Sequence, residues 1–299
     1  MTRWIRFALA AVCLLASSSL LLAQEYKFKV VASGLAKPTG IAVDDEIVYF
    51  TELPNPGVGN STNAVKKLNL ENQLIESLHS GEPEPVNIVV GEDGSIYWVC
   101  KSAGVILKQD KNGVTTVFSM GRNKPSGIAI SKKGVVYFTE VPTPGVGGGL
   151  NGVFATANGS SIQTIHLGEP EPVDVAVAPN GDVYWTCRSA GVILVRSAED
   201  GMIRVLLSSL NKPTGIAIDR QGRNLYYTEV PTPGVSGANG GMNRVVKYEL
   251  ETSQMTLVHA GDPEPTDVAV APNGNVYWTC TSAGVIVEAR PIHGRGKGN

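Results

Sequence analysis

The segment Tyr97-Trp98-Val99-Cys100-Lys101-Ser102-Ala103-Gly104-Val105-Ile106-Leu107 returns almost unchanged at Tyr184–Leu194 and at Tyr277–Val287. Its cysteines, Cys100, Cys187 and Cys280, stand 87 and 93 residues apart. A second element, Tyr-Phe-Thr-Glu followed by Pro-x-Pro-Gly-Val, ends at Glu52, at Glu140 and, as Tyr-Tyr-Thr-Glu, at Glu229, with spacings of 88 and 89. Repetition at fixed intervals is the signature of stacked supersecondary units. Three such copies tile the chain. Each copy divides again into halves of roughly 44 residues, because Lys37-Pro-Thr-Gly-Ile-Ala-Val43 and Glu171-Pro-Val-Asp-Val-Ala-Val177 both precede a turn and an aromatic strand. Within a half, a short apolar strand, a Gly turn, an aromatic strand, a loop and two outer strands follow one another. Asp93-Gly94, Asn112-Gly113, Asn180-Gly181 and Asn273-Gly274 sit where hairpins need positive φ. Four strands per half make a propeller blade, and six halves predict an all-β, six-bladed β-propeller of three tandem two-blade repeats.

The ends of the chain sharpen that expectation. The last half stops after its third strand, Gly284 to Ala289, whereas Tyr26 to Ser33 is a strand with no partner of its own. The N-terminal strand is therefore expected to complete the last blade, leaving no open edge. Residues 24–291 form the propeller in this reading and 292–299 a tail. Residues 1–23 carry Arg3 and Arg6, then an apolar run from Phe7 to Leu22, and read as a signal peptide cleaved before Gln24. An uncleaved anchor is the competing reading of that run. Secretion or export to a periplasm follows from the first. Without Arg3 and Arg6 the 25 basic residues fall to 23 against 27 acidic, a formal charge of −4 that argues against nucleic acid or an anionic membrane as partner. Three cysteines remain beyond Cys13, an odd number that cannot be fully paired within one monomeric chain.

Loops entering the first strand and leaving the second share one face, and that face gathers the repeated polar motifs. Asn87, Asp174 and Asp267 begin channel-lining strands in alternate blades. With the inner strand about 7 Å from the axis, three-fold positions stand about 12 Å apart at Cα, near enough to share a hydrated divalent cation such as Ca²⁺, or a small ligand, but not for tight direct coordination. The plainer alternative is that each side chain accepts backbone N–H groups of its own loop. Glu52, Glu140 and Glu229 end the second strand of the other blades, either as an acidic ring or as partners of Lys37, Lys124 and Lys212. The cysteines lie one strand further out, about 20 Å apart, beyond the reach of one metal ion or a disulfide, and are expected as buried free thiols beside Trp98, Trp185 and Trp278. His79, His166 and His259 end outermost strands and cannot meet, which leaves a local His–Glu pair or an ordinary surface histidine.

This pattern resembles the six-bladed NHL-repeat and SMP-30/gluconolactonase-like propellers, and the Tyr-Phe-Thr-Glu endings resemble those of the streptogramin lyases, over Tyr26 to about Pro291. The first resemblance implies a divalent metal at the channel mouth, held where Asn-Gly or Asp-Gly opens an inner strand. Here the positions before Gly40, Gly127 and Gly215 are Thr39, Ser126 and Thr214. Asn87, Asp174 and Asp267 fall one residue along, in the alternate blades. The second resemblance implies a His–Glu catalytic pair, for which no channel-facing histidine is evident. Two functions are expected from the whole. One is a secreted binding module whose acidic loop face engages a small molecule, a glycan or an extracellular protein. The other is a divalent-metal-dependent, lactonase-like hydrolase or lyase, with Asn87, Asp174 and Asp267 around the ion and Glu140 or Glu229 as base.

Overall fold

The computed structural model describes residues 26–54, 62–81, 83–142, 149–168, 170–231 and 241–292. They fold into six four-stranded antiparallel sheets. The inner strands are Pro38–Asp44, Pro85–Val90, Pro125–Ile130, Pro172–Val177, Pro213–Ile218 and Pro265–Val270, and each opens the blade numbered here in that order. Every inner strand begins with proline, which has no N–H to lose at a strand start. The residue before it, Lys37, Glu84, Lys124, Glu171, Lys212 or Glu264, takes a positive φ between 52° and 58°. For a side chain other than glycine this conformation costs about 1 kcal/mol or more. It is held in place because the same residue's carbonyl accepts the N–H of the residue that follows the second strand, as in Leu53 to Lys37 at 3.1 Å and Arg188 to Glu171 at 3.0 Å.

The ring closes as the repeat predicts. Tyr26–Ala32 pairs antiparallel with Val285–Pro291, running from Tyr26 opposite Pro291 to Ala32 opposite Ile286. The sixth blade is therefore built from both ends of the chain. Its junction with the first blade is also bonded: Leu35 N–H donates to Gly284 O at 2.9 Å, and Thr281 Oγ1 donates to Pro38 O at 2.6 Å.

The core consists of layers between neighbouring blades. Because both faces of each sheet are covered, the second strands are apolar on both sides, with Phe50, Trp98, Phe138, Trp185 and Trp278 fully buried. Within this packing runs a device that the sequence analysis does not register. Each inner strand bulges near its start, which frees an N–H. In five blades a buried threonine of the second strand accepts it: Gly40 to Thr51 and Gly127 to Thr139 at 2.8 Å, Gly215 to Thr228 at 2.9 Å, and Asp174 to Thr186 and Asp267 to Thr279 at 3.2 Å. Four of these hydroxyls then donate to a carbonyl of the next blade, for example Thr139 to Val173, Thr186 to Thr214 and Thr279 to Thr39. The second blade has Val99 at this place. Replacing Val99 by threonine should supply the missing link from Asn87 N–H to Ser126 O. The expected gain is about 1 kcal/mol, or about 2–3 °C in melting midpoint by calorimetry. A lower midpoint would show that the hydroxyls do not fasten the blades.

Candidate functional site

The three polar residues that begin alternate inner strands meet across the channel. Asn87, Asp174 and Asp267 are 8%, 4% and 4% exposed. Asn87 Nδ2 donates to Asp174 Oδ1 at 2.9 Å, and the Asp174 and Asp267 side chains are hydrogen-bonded to each other. The 12 Å Cα estimate thus understated their contact, since each side chain reaches inward. Room is made by glycine on the neighbouring strand. A Cβ on Gly127 would stand 2.5 Å from Asp174 Cα, and one on Gly215 would stand 2.6 Å from Asp267 Cα. Channel-facing N–H groups complete the assembly. Asp174 accepts Val175 N–H at Oδ1 and Ile216 N–H at Oδ2, at 2.8 and 2.9 Å. Asp267 accepts Val268 N–H at Oδ1 and Ile41 N–H at Oδ2, at 2.8 and 2.9 Å. Asn87 Oδ1 accepts Ile88 N–H at 2.6 Å. Each side chain therefore bonds its own strand, as the plainer reading expects, and the two aspartates also bond the next blade.

Burial dominates the electrostatics. It lifts the Asp174 carboxyl to about 7, against the pull of the N–H groups of Ile216 and Val175 and the side chains of Asp267 and Asn87. Burial, followed by the charge of Asp174, holds the Asp267 carboxyl well above the usual carboxylate range. Two carboxyls in contact in a dry place retain protons that water would take from either one.

These three side chains form the floor of a cavity of about 480 Å³. Its walls are the six inner strands. Its rim carries Asp44, Asp45, Glu92, Lys132 and Arg220 from the turns between first and second strands. It thus opens on the face of those turns, not on the face where the inner strands begin; residues 55–61, 143–148 and 232–240 of the Gly-rich loops lie outside the described ones. On the rim, burial and then the neighbouring Asp45 raise the Asp44 carboxyl, while Arg220 opposes them.

The donor set suits a proton better than a divalent ion. All four oxygens of Asp174 and Asp267 already accept a backbone N–H, and Asn87 presents its NH₂ rather than its oxygen to Asp174. Among the described residues no group of three His, Cys, Asp or Glu side chains is placed to hold a metal ion.

Glu52, Glu140 and Glu229 are buried but do not line this cavity. Glu52 accepts Ala36 N–H at 3.1 Å and pairs with Lys66 at 2.6 Å. Glu229 accepts Asn211 N–H at 3.2 Å and Arg244 Nε at 2.8 Å. Glu140 bonds the Asn123 N–H and faces Arg122 at 3.8 Å; burial raises its carboxyl. The cations seen opposite them are thus Lys66, Arg122 and Arg244, where Lys37, Lys124 and Lys212 were the expected partners. For Glu52 and Glu229 the strand register accounts for the pairing, because Lys66 and Arg244 lie on the third strand alongside; Arg122 comes from the segment that leads into the third blade. These glutamates clasp the segments that lead into the blades.

Cys100, Cys187 and Cys280 form no disulfide and are fully buried, and burial pushes the Cys280 thiol up to about 12. In the native protein they should react with a thiol reagent at least about a hundredfold more slowly than after denaturation, followed by absorbance of the released chromophore. Equal rates would open a redox role. The histidines stand beside tryptophans: His79, His166 and His259 lie 6.0, 6.3 and 5.8 Å from the rings of Trp98, Trp185 and Trp278. In the third copy Asp262 joins the two, accepting Trp278 Nε1 at 2.6 Å and standing 3.1 Å from His259 Nε2. A local pair is thus formed there, with Asp262 in the place of the glutamate considered from the sequence. Its counterparts in the other copies, Glu82 and Glu169, lie outside the described residues.

Fold and floor together define a six-bladed β-propeller with its channel closed by a carboxyl pair and a carboxamide. The comparisons with known proteins agree on the architecture. A gluconolactonase from Xanthomonas campestris superposes with a TM-score of 0.71 at 14% identity, over 90% of this chain and 92% of that one. A calcium-binding regucalcin from Agrobacterium tumefaciens gives 0.67 at 12%, over 89% and 94%. Virginiamycin B lyase from Staphylococcus aureus gives 0.59 at 16%, over 91% and 90%. The chain thus shares the fold of the SMP-30/gluconolactonase-like and streptogramin lyase propellers. A curated Pyricularia oryzae protein described as low-density lipoprotein receptor-related protein 1 is 22% identical over 286 aligned positions, covering 81% of this chain and 88% of that protein. No family model matches.

Proposed function

We propose that the protein is a lactonase-like hydrolase or lyase acting on a small molecule in the axial cavity, with the Asp174–Asp267 pair as its proton-transferring group. The observation that carries this reading is a pair of buried carboxyls in contact with each other, their affinity for protons raised by burial, facing a cavity of a size that takes small ligands. Two like groups whose environment holds them in different proton states can serve as acid and base at one centre. The carboxylate partner would draw a proton from water attacking an ester carbonyl, and the protonated partner would give one to the leaving alkoxide. Support for hydrolase or lyase chemistry also comes from the gluconolactonase and virginiamycin B lyase that share the fold. The regucalcin with this fold is described as calcium-binding. A Ca²⁺ ion here would have to compete with the backbone N–H groups for every carboxylate oxygen, so no step is assigned to it.

One observation favours the alternative, a binding module for a small molecule, glycan or extracellular protein. The three-fold floor has its oxygens already satisfied by backbone, as a structural plug would. Hydrolysis of a panel of aldonolactones and simple cyclic esters, followed as proton release with chelator or with added Ca²⁺, separates the two. Turnover by the wild type that Asp267→Asn abolishes supports catalysis. Absence of turnover on every substrate in both conditions, with the protein folded, leaves binding as the function. Export belongs to the same proposal, as does the monomer. A mature N-terminus at Gln24 outside the cytoplasm would support export, and retention of residues 1–23 would oppose it.

A further inference from the structure

The walls of the axial cavity are backbone rather than side chain, and their polarity is unbalanced. In an antiparallel pair the residues of one strand alternate between those that exchange hydrogen bonds with the partner and those whose N–H and C=O both point away from it. The turn bonds fix which are which: Gly91 N–H donates to Ser95 O, Ser131 to Val135, Ala178 to Asp182, Asp219 to Asn224 and Ala271 to Asn275. One residue back from these, Val90, Ile130, Val177, Ile218 and Val270 face the channel with both groups, and so, three back and nearer the floor, do Ile88, Ile128, Val175, Ile216 and Val268. Val43 and Ile41 take the same places in the first blade. The innermost strand of a blade has no neighbour on that side, so its carbonyls and N–H groups are presented to whatever fills the cavity.

The floor removes donors from this wall and leaves acceptors. The N–H groups of Ile41, Ile88, Val175, Ile216 and Val268 are all taken by oxygens of Asn87, Asp174 and Asp267. Their carbonyls have no such partner in the floor, and the tier nearer the mouth keeps both kinds of group, so the wall as a whole presents more carbonyls than N–H groups. The rim adds charge in the same sense, with Asp44, Asp45 and Glu92 against Lys132 and Arg220. An occupant of this space meets more acceptors than donors, and more negative than positive charge.

We propose that the cavity binds a small organic cation rich in N–H donors, with a primary ammonium directed at the channel carbonyls and its apolar remainder toward the rim. An ammonium has three donors and no acceptor, which complements the imbalance of the wall. A space of about 480 Å³ admits a molecule of this kind together with bridging water. This inference goes beyond the catalytic reading and holds whether or not the cavity turns over a substrate.

The test uses n-propylammonium chloride as probe and n-propanol, its neutral counterpart, as control, with the full chain at constant ionic strength. Binding is read from amide chemical shifts. A ligand of so few atoms is expected to bind in the millimolar range, with saturable shifts at Val43, Val90, Ile130, Val177, Ile218 and Val270 and none from propanol. Combining Asp45→Asn with Glu92→Gln at the exposed rim, where folding is not at stake, should weaken the ammonium about fivefold. Equal response to propanol, shifts confined to the outer surface, or an affinity unchanged in the rim variant would each overturn the proposal. Since the readout is binding, loss of lactone turnover alone would leave it standing.

Discussion

Deleting Tyr26–Ala32 will abolish cooperative folding of the whole ring rather than loosen one blade. The strand supplies the outer ladder of the sixth sheet against Val285–Pro291. Its Val31 and Ala32 belong to the apolar layer shared by Phe50, Tyr277 and Ile286 at the junction of first and last blades. Without it, the last blade presents an unpaired edge, and that junction loses a wall of its core. The expected loss is at least about 5 kcal/mol, comparable to the entire stability of many domains. Far-UV circular dichroism and thermal melting would then show no single transition. A truncated protein with an unchanged midpoint would mean that the ring does not depend on closure by its N-terminal strand.

The second large effect concerns the channel floor. Asp174 and Asp267 hold protons in the folded protein over a range in which the unfolded chain has released them. The folded state therefore binds more protons than the unfolded one, and stability falls as pH rises. The contribution is complete below about 4, where both states are protonated, and for Asp174 it is lost as pH climbs to about 7. The loss amounts to up to about 4 kcal/mol, given the distance from the ordinary value of 3.8 to about 7. Carboxyls held low by exposed turns, such as Asp93 and Asp110, act in the opposite sense at lower pH and are common to all variants. Asn87 shows what an amide can do here, accepting one backbone N–H and donating to Asp174. Asp267→Asn should keep the Val268 N–H bond and set its NH₂ against Ile41 N–H, at a cost of about 1–3 kcal/mol, and should flatten the decline in stability between pH 4 and pH 8. Asp174→Asn would place an NH₂ group among donors from Asn87, Val175 and Ile216, at a cost of about 2–4 kcal/mol. Denaturant unfolding across pH measures both, and parallel curves for the wild type and Asp267→Asn would count against a shared proton.

The ring itself was legible because it is written as periodicity. Cysteine spacing, the Asn-Gly turns and the unmatched strand at Tyr26 determine blade number and closure with no knowledge of side-chain contacts. The floor was half legible. The repeat placed Asn87, Asp174 and Asp267 on inner strands, but whether their side chains touch depends on close approach of adjacent strands at Gly40, Gly127 and Gly215, which a repeat length does not encode. The partners of Glu52 and Glu229 were misassigned because nearness in sequence to Lys37 and Lys212 competes with cross-strand register, and register prevailed; Glu140 meets Arg122, two residues before Lys124 in the same entering segment. The threonine links left a trace in the sequence, as the Thr of Tyr-Phe-Thr-Glu and of Tyr-Trp-Thr-Cys. Their role emerges only once the bulge at the start of each inner strand is seen to free an N–H. The cavity wall had no side-chain signal, since it is made of peptide groups.

Titration of the aspartate carboxyl carbons by NMR tests the central claim most directly, with Asp267→Asn and Asp174→Asn used for assignment. Two carboxyls in contact across the channel predict one resonance that titrates near 7, assigned to Asp174, and a second, assigned to Asp267, that does not move through the ordinary carboxylate range. If both titrate near 4, the side chains are separately hydrated and the channel is not closed by a shared proton.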